Sequence, residues 1–145
     1  MDHSEQAITI LSERECWERL AQQEVGRIVT HVGDVVDVVP VNYVVDDETL
    51  LIRTAAGNKL NELTINPRIT FEVDQFDKER GWSVVVHGVA RALETEHEIF
   101  EAERLPLRPF VPTLKPVFVR ITPETATGRT FRFGEEPRRE DLQEG

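Results

Sequence analysis

The period of the apolar residues changes along the chain. It is helical up to Gly26 and strand-like beyond it. Cys16, Trp17, Leu20 and Ala21 share one face of a 3.6-residue repeat. Ser12 and Glu15 form an S-x-x-E capping box before them, Leu11 and Cys16 can close a hydrophobic staple, and Gly26 supplies a stop. Residues 27–32 are rich in β-branched side chains and lead into a Gly33-Asp34 turn. Residues 35–45 read as a longer strand. Pro40 in its middle implies an edge, a bulge or a bend, because proline cannot donate to the ladder. Asp46-Asp47-Glu48 makes the next turn and residues 49–54 a third strand, so the three read as consecutive antiparallel hairpins.

Residues 58–65 predict a short helix with Leu60, Leu63 and Ile65 turned inward, ended by Asn66-Pro67. Residues 68–74 alternate, with Ile69, Phe71 and Val73 on one face and Thr70, Glu72 and Asp74 on the other. A polar loop over 75–81 precedes a long apolar strand over 82–93. Residues 95–103 predict a helix anchored by Ile99 and Phe100, and the proline-rich stretch 105–116 an extended loop. Residues 117–121 form the last clear strand, with a short extra one over 130–133. Residues 1–7 are polar and read as loose, and 134–145 as a flexible charged tail after a single domain over 1–133. Short hairpin links exclude a βαβ parallel sheet. Six or so strands with small helices predict a mainly β, closed or nearly closed antiparallel barrel.

Charge narrows the partners. Seventeen Lys and Arg against 27 Asp and Glu give a net −10 in 145 residues, which argues against duplex DNA and anionic membranes but leaves room for one small anion on a local pair of cations. The single cysteine, Cys16, excludes an intrachain disulfide and a cysteine-rich zinc site. No apolar run reaches the ~20 residues of a membrane-spanning helix, and no basic-then-apolar leader opens the chain. A cytoplasmic protein is the expectation.

The most informative segment for chemistry is Arg53-Thr54-Ala55-Ala56-Gly57-Asn58-Lys59, which joins a strand to a helix start. Gly57 permits a tight turn, the first helical N–H groups point outward, Arg53 offers a planar fork, Thr54 a hydroxyl and Lys59 a mobile charge. Together they suit a phosphate, although the segment is not a Walker A loop and an ordinary connection with exposed cations has the same spacing. Pro40-Val41-Asn42-Tyr43 can expose backbone polar groups beside Asn42 and Tyr43, which suits the edge of a flat heteroatom-rich ring or simply a bent edge strand. Trp82, at the start of Gly81-Trp82-Ser83-Val84, can stack on a ligand or cap the core. His87 reads as structural. The other histidines lack metal-ligand spacing, and no nucleophile elbow or acid/base pair is evident. A phosphate-type site without reactive side chains favours a borrowed cofactor.

In their joint order these segments resemble the pyridoxamine 5′-phosphate oxidase-like family of flavin-binding split-barrel proteins. The landmarks are Glu24-Val25-Gly26-Arg27-Ile28, Pro40-Val41-Asn42-Tyr43, Arg53-Thr54 with Gly57-Asn58-Lys59, Asn66-Pro67-Arg68, Phe71-Glu72-Val73-Asp74, Gly81-Trp82-Ser83-Val84, and Ile121-Thr122-Pro123 leading to Gly128-Arg129. The likeness spans residues 11–133 and is greatest to the small single-domain branch.

The resemblance implies an antiparallel split β-barrel, homodimeric, with FMN at the subunit interface. It implies that Arg53, Thr54 and Lys59 hold the flavin phosphate with Gly57 and Leu60 also at the cofactor, that the ring lies against Pro40, Val41, Asn42 and Tyr43, and that the partner subunit brings its own copy of the region from Trp82 through Ser83 to Val84. The substrate-phosphate set and terminal Arg-x-His of true pyridoxamine phosphate oxidases have no counterpart here, since Arg129 is not followed by a matching His. An FMN-dependent oxidoreductase of unassigned substrate is therefore the leading expectation. A deazaflavin-coenzyme reductase and a non-enzymatic flavin or haem carrier or sensor are the alternatives.

Overall fold

The computed structural model describes residues 6–108 and 115–138. Its elements, in chain order, are β1 (Ile8–Ile10), α1 (Glu13–Leu20), β2 (Val25–Val32), β3 (Val35–Asp46), β4 (Thr49–Thr54), α2 (Asn58–Ile65), β5 (Arg68–Phe76), β6 (Arg80–Ala92), α3 (Glu96–Glu103) and β7 (Val117–Arg132). The sheet runs β1-β7-β4-β3-β2-β5-β6, and β6 pairs back onto β7. Strands β2 to β7 therefore close into an antiparallel ring, with β1 attached outside it on β7. The expected mainly β barrel with small helices is what forms.

The local signals explain most of these elements. Ser12 and Glu15 make both hydrogen bonds of the capping box, and Cys16, Trp17 and Leu20 carry the buried face of α1. The turn between β3 and β4 puts Asp47 and Glu48 at φ of 50° and 54°, the left-handed pair of a tight two-residue hairpin. Pro40 pairs with Arg27 on β2 and has no β4 residue on its other side, so it lies on an open edge. The core gathers Leu20, Ile28, Leu50, Phe71, Val84, Val86 and Ile121, all fully enclosed. Each such side chain contributes roughly 1.5–3 kcal/mol of burial free energy.

Several expectations are corrected. α1 ends at Leu20 with Ala21 as an exposed cap, and Gly26 stops nothing. It lies within β2, where a Cβ would sit 2.5 Å from the Phe71 ring, so its role is close packing. Ile65 is exposed rather than inward, because α2 is seated through Leu63. Phe100 is also exposed, under the Arg104 guanidinium, while α3 docks through Ala102 and Ile99 onto Leu51, Leu93 and Phe118. β5 and β6 extend into the expected 75–81 loop and leave only a short turn. β1 was not expected; its Ile8-Thr9-Ile10 is too short to stand out, and all three residues are exposed. Residues 134–138 carry no helix or strand; the rest of the tail, residues 1–5, and 109–114 of the proline-rich stretch lie outside the described residues.

β7 is one continuous strand where two pieces were expected. Its register with β6 slips between His87 and Gly88, whose partners are Thr125 and Pro123, so Glu124 is left over as a bulge. The bulge accommodates Pro123. A Cβ on Gly88 would lie 2.5 Å from the Thr122 carbonyl oxygen, a backbone atom that cannot yield without shifting the strand. Gly88→Ala is expected to destabilise the protein by about 1–3 kcal/mol, read as a lowered midpoint in urea unfolding at unchanged slope.

Candidate functional site

The strand register defines an opening in the barrel wall. β3 pairs with β4 from Asp46↔Thr49 to Tyr43↔Ile52 and no further. Continued, the ladder would set Asn42 opposite Arg53 and Val41 opposite Thr54. Instead β3 follows β2, with Asn42 on Val25 and Pro40 on Arg27, while β4 follows β7, with Arg53 on Phe118 and Thr54 on Val117. The two strands diverge, and two of the segments singled out from sequence form the two lips of the gap. The chain leaves β4 at Thr54 and enters α2 through Gly57, at φ 154° and ψ −152°, a conformation essentially restricted to glycine. α2 has no side-chain cap, so its first-turn amides have no intrahelical acceptor.

The cations of this region already hold partners within the chain. Arg53 Nε donates to the Lys115 carbonyl at 3.0 Å, and its guanidinium lies 4.7 Å from the centre of the Phe118 ring. Lys59 Nζ lies 2.9 Å from Glu62 Oε1 and donates to Thr30 Oγ1 at 3.1 Å. Thr30 is fully buried and pairs with Asp37 across β2–β3. The Asp37 carboxyl hydrogen-bonds that of Glu62 and is pushed above its ordinary pKa by it; Glu62, accepting from Asp37 and Lys59, is pulled below. Thr54 Oγ1 donates to the Ala55 carbonyl, and Leu60 is half-buried beside a 250 Å³ cavity shared with Leu63, Pro67, Ala90 and Val119.

On the opposite lip, Pro40 is exposed and Val41 and Asn42 half-buried, with Asn42 Nδ2 donating to the Glu24 carbonyl at 3.5 Å. Tyr43 is 3% exposed. Its hydroxyl donates to the Leu20 carbonyl at 2.5 Å, its ring meets Phe71 edge-on, and burial raises its pKa. Its side chain thus belongs to the core. Trp82, Ser83 and Val84 sit elsewhere on the barrel wall, on β6 between β5 and β7. Val84 is fully buried, Ser83 half-buried, and Trp82 lies under the Arg19 guanidinium at the edge of a 650 Å³ groove that also holds Gln75, Phe76 and Arg80. One chain therefore brings together the residues around 40–42 and 53–60 but not those around 82–84.

Side-chain catalysis has little to work with. Burial raises the Cys16 thiol pKa. Among the described residues no His, Cys, Asp or Glu group is arranged to hold a metal, and no helix is long and apolar enough to cross a membrane. His87 shares a hydrogen bond with Thr70. Sequence reasoning missed Thr30, Asp37 and Glu62. The i,i+3 spacing of Lys59 and Glu62 was a readable signal for one of them; the other two come from a strand pairing that no local pattern announces.

Comparison with known proteins agrees with this architecture. The sequence profile of the pyridoxamine 5′-phosphate oxidase family matches residues 12–130. A crystal structure of a candidate pyridoxamine 5′-phosphate oxidase from Corynebacterium glutamicum is 42% identical, with a TM-score of 0.83 over 91% of this chain and 98% of that one. The structure of an FAD-binding protein from Mycobacterium smegmatis is 46% identical, with a TM-score of 0.75 over 86% of this chain and 99% of its own. An uncharacterized protein of Mycobacterium tuberculosis is 44% identical over 95 residues, 66% of this chain and 86% of its length.

If Tyr43 is a packing residue, Tyr43→Phe removes the stronger of the two hydrogen bonds to the Leu20 carbonyl and leaves only the longer one, 3.3 Å, from the Gln23 N–H. The variant is expected to lose about 1–2 kcal/mol of unfolding free energy, measured by thermal denaturation. A stability equal to that of the parent would contradict the assignment.

Proposed function

This chain belongs to the pyridoxamine 5′-phosphate oxidase family, and from that premise we propose that it is a flavin-dependent oxidoreductase that binds FMN in the gap between β3 and β4. The observation that carries the reading is the divergence of the two strands at Tyr43↔Ile52 beside the uncapped start of α2. The stretch of β3 without a β4 partner lies on one side of the gap; the Gly57 turn, the start of α2, Arg53 and Lys59 belong to the other. A flat polar ring with a phosphate tail has that shape and charge pattern.

In this reading the α2 amides and Lys59 hold the phosphate and Thr54 hydrogen-bonds it. Arg53, pinned by Phe118 and Lys115, supplies fixed positive charge. The edge of β3 over residues 40–42 offers backbone donors and acceptors to the ring. The flavin, when bound, supplies hydride or electron transfer; the protein positions it and excludes water. The FAD-binding Mycobacterium smegmatis relative favours FAD as a second reading. FAD shares the ring, the ribityl chain and the first phosphate, the parts this gap addresses.

The same reading assigns a homodimer. The half of β3 that has β2 but no β4 beside it presents Val35, Val36, Val38 and Val39, from 36% to 60% exposed, on an open strand edge. An apolar open edge is a surface that pairs with another chain. In a two-chain site the partner's own Trp82 region would wall the ring.

The freshly purified protein is expected to show the visible absorption of a bound flavin, or to acquire it on adding FMN. Absence of binding to FMN, FAD and the deazaflavin coenzyme alike would refute the proposal. The double variant Arg53→Ala, Lys59→Ala should weaken FMN binding by on the order of 100-fold, two charge-assisted contacts being lost, while its circular dichroism stays that of the parent. Val36→Glu with Val38→Glu should convert a dimer to a monomer in sedimentation equilibrium. A parent that sediments as a monomer would refute the two-chain site.

A further inference from the structure

Lys59 does not stand waiting for an anion. Its ammonium is held by the Glu62 carboxylate and the buried Thr30 hydroxyl, and Asp37 stands behind Glu62, their carboxyls hydrogen-bonded. Two elements meet at the ammonium, β2 bringing Thr30 and α2 bringing both Lys59 and Glu62, and β3 sets Asp37 across from Thr30. The side chains of Lys59 and Glu62 are each 18% exposed, so water screens their pair only partly. As long as Lys59 stays on Glu62 its charge is neutralised within the chain, and the ammonium offers a phosphate little net attraction.

Building on the phosphate seat proposed above, we infer that Glu62 is an internal competitor for Lys59, which an incoming phosphate must displace, and that Glu62 and Asp37 thereby set how strongly the site distinguishes phosphorylated from unphosphorylated flavin. The lysine stem has four rotatable bonds, so its ammonium can swing from Glu62 toward the α2 amides without backbone movement. The pair is suited to breaking. Lysine precedes glutamate along the helix, the weaker order of an ion pair on a helix surface. Release of Lys59 leaves the two carboxyls facing each other alone, a cost that every phosphate ligand has to meet and that riboflavin, which has no phosphate, does not incur.

The test compares FMN with riboflavin on the full chain by fluorescence quenching. Glu62→Gln keeps shape and hydrogen bonding but removes the competing charge. It should tighten FMN binding by about threefold to tenfold and leave riboflavin binding within error. Asp37→Asn, at a half-buried strand position, should move FMN in the same direction and likewise spare riboflavin. With FMN held at each protein's own Kd, inorganic phosphate should displace it from Glu62→Gln at lower concentration than from the parent. A parent that prefers FMN to riboflavin by a ratio that neither variant changes would overturn this inference and leave the flavin reading standing. A parent that binds the two equally would overturn the phosphate seat itself, and this inference with it. A variant that tightened both ligands alike would show general loosening and also overturn it.

Discussion

The parting of β3 from β4 at Tyr43 is the constraint on which the rest of the molecule depends. A closed barrel leaves no strand edge inside its wall, and a ligand that needs backbone partners then has nowhere to bind. Here β3 is anchored to β4 over Tyr43↔Ile52 to Asp46↔Thr49, then turns away with β2. The Tyr43 hydroxyl on the Leu20 carbonyl and its ring against Phe71 fix the parting point from inside the core. Pro40, three residues before it, fits the freed edge because it has no N–H to leave unpaired. The valines beyond Pro40 lie on the same edge without a β4 partner and stay 36% to 60% exposed.

Much of this was legible in the sequence because it is local. The capping box of α1, the two hairpin turns and the alternation of β5 each sit within a few residues, and each forms as expected. Pro40 correctly announced an open edge. What failed was long-range. Gly26 looks like a helix stop by its neighbours but is a packing glycine because of Phe71, 45 residues on. Phe100 and Ile65 have the apolar character of anchors, yet the helix faces are decided by what they meet, and smaller or better-placed residues won. β7 read as two pieces, 117–121 and 130–133, because a bulge that lets one strand continue is a property of two strands, not one.

The site divides in the same way. Arg53, Thr54, Gly57 and Lys59 announced themselves by their spacing around a strand–helix junction, and the end of the β3–β4 register leaves Asn42 and Val41 on the other strand of the gap. That Tyr43 is spent in the core, and that Lys59 is held by Glu62 and Thr30, depends on contacts between elements and could not be read from either alone. The acidic character of the chain acquires a local meaning here. Carboxylates do not merely line the surface; Glu62 stands on the cation that the phosphate would use.

The central claim is that a flavin phosphate binds at the junction of β4 and α2. Amide ¹⁵N–¹H spectra of the protein titrated with FMN and, separately, with riboflavin test it most directly, because the two ligands differ only in the phosphate. The account predicts shared shifts around residues 40–42 from the ring, and FMN-specific shifts confined to residues 53–62 and to Thr30 and Asp37 behind them. FMN-specific shifts concentrated in the Trp82 groove, with residues 53–60 unmoved, would contradict it.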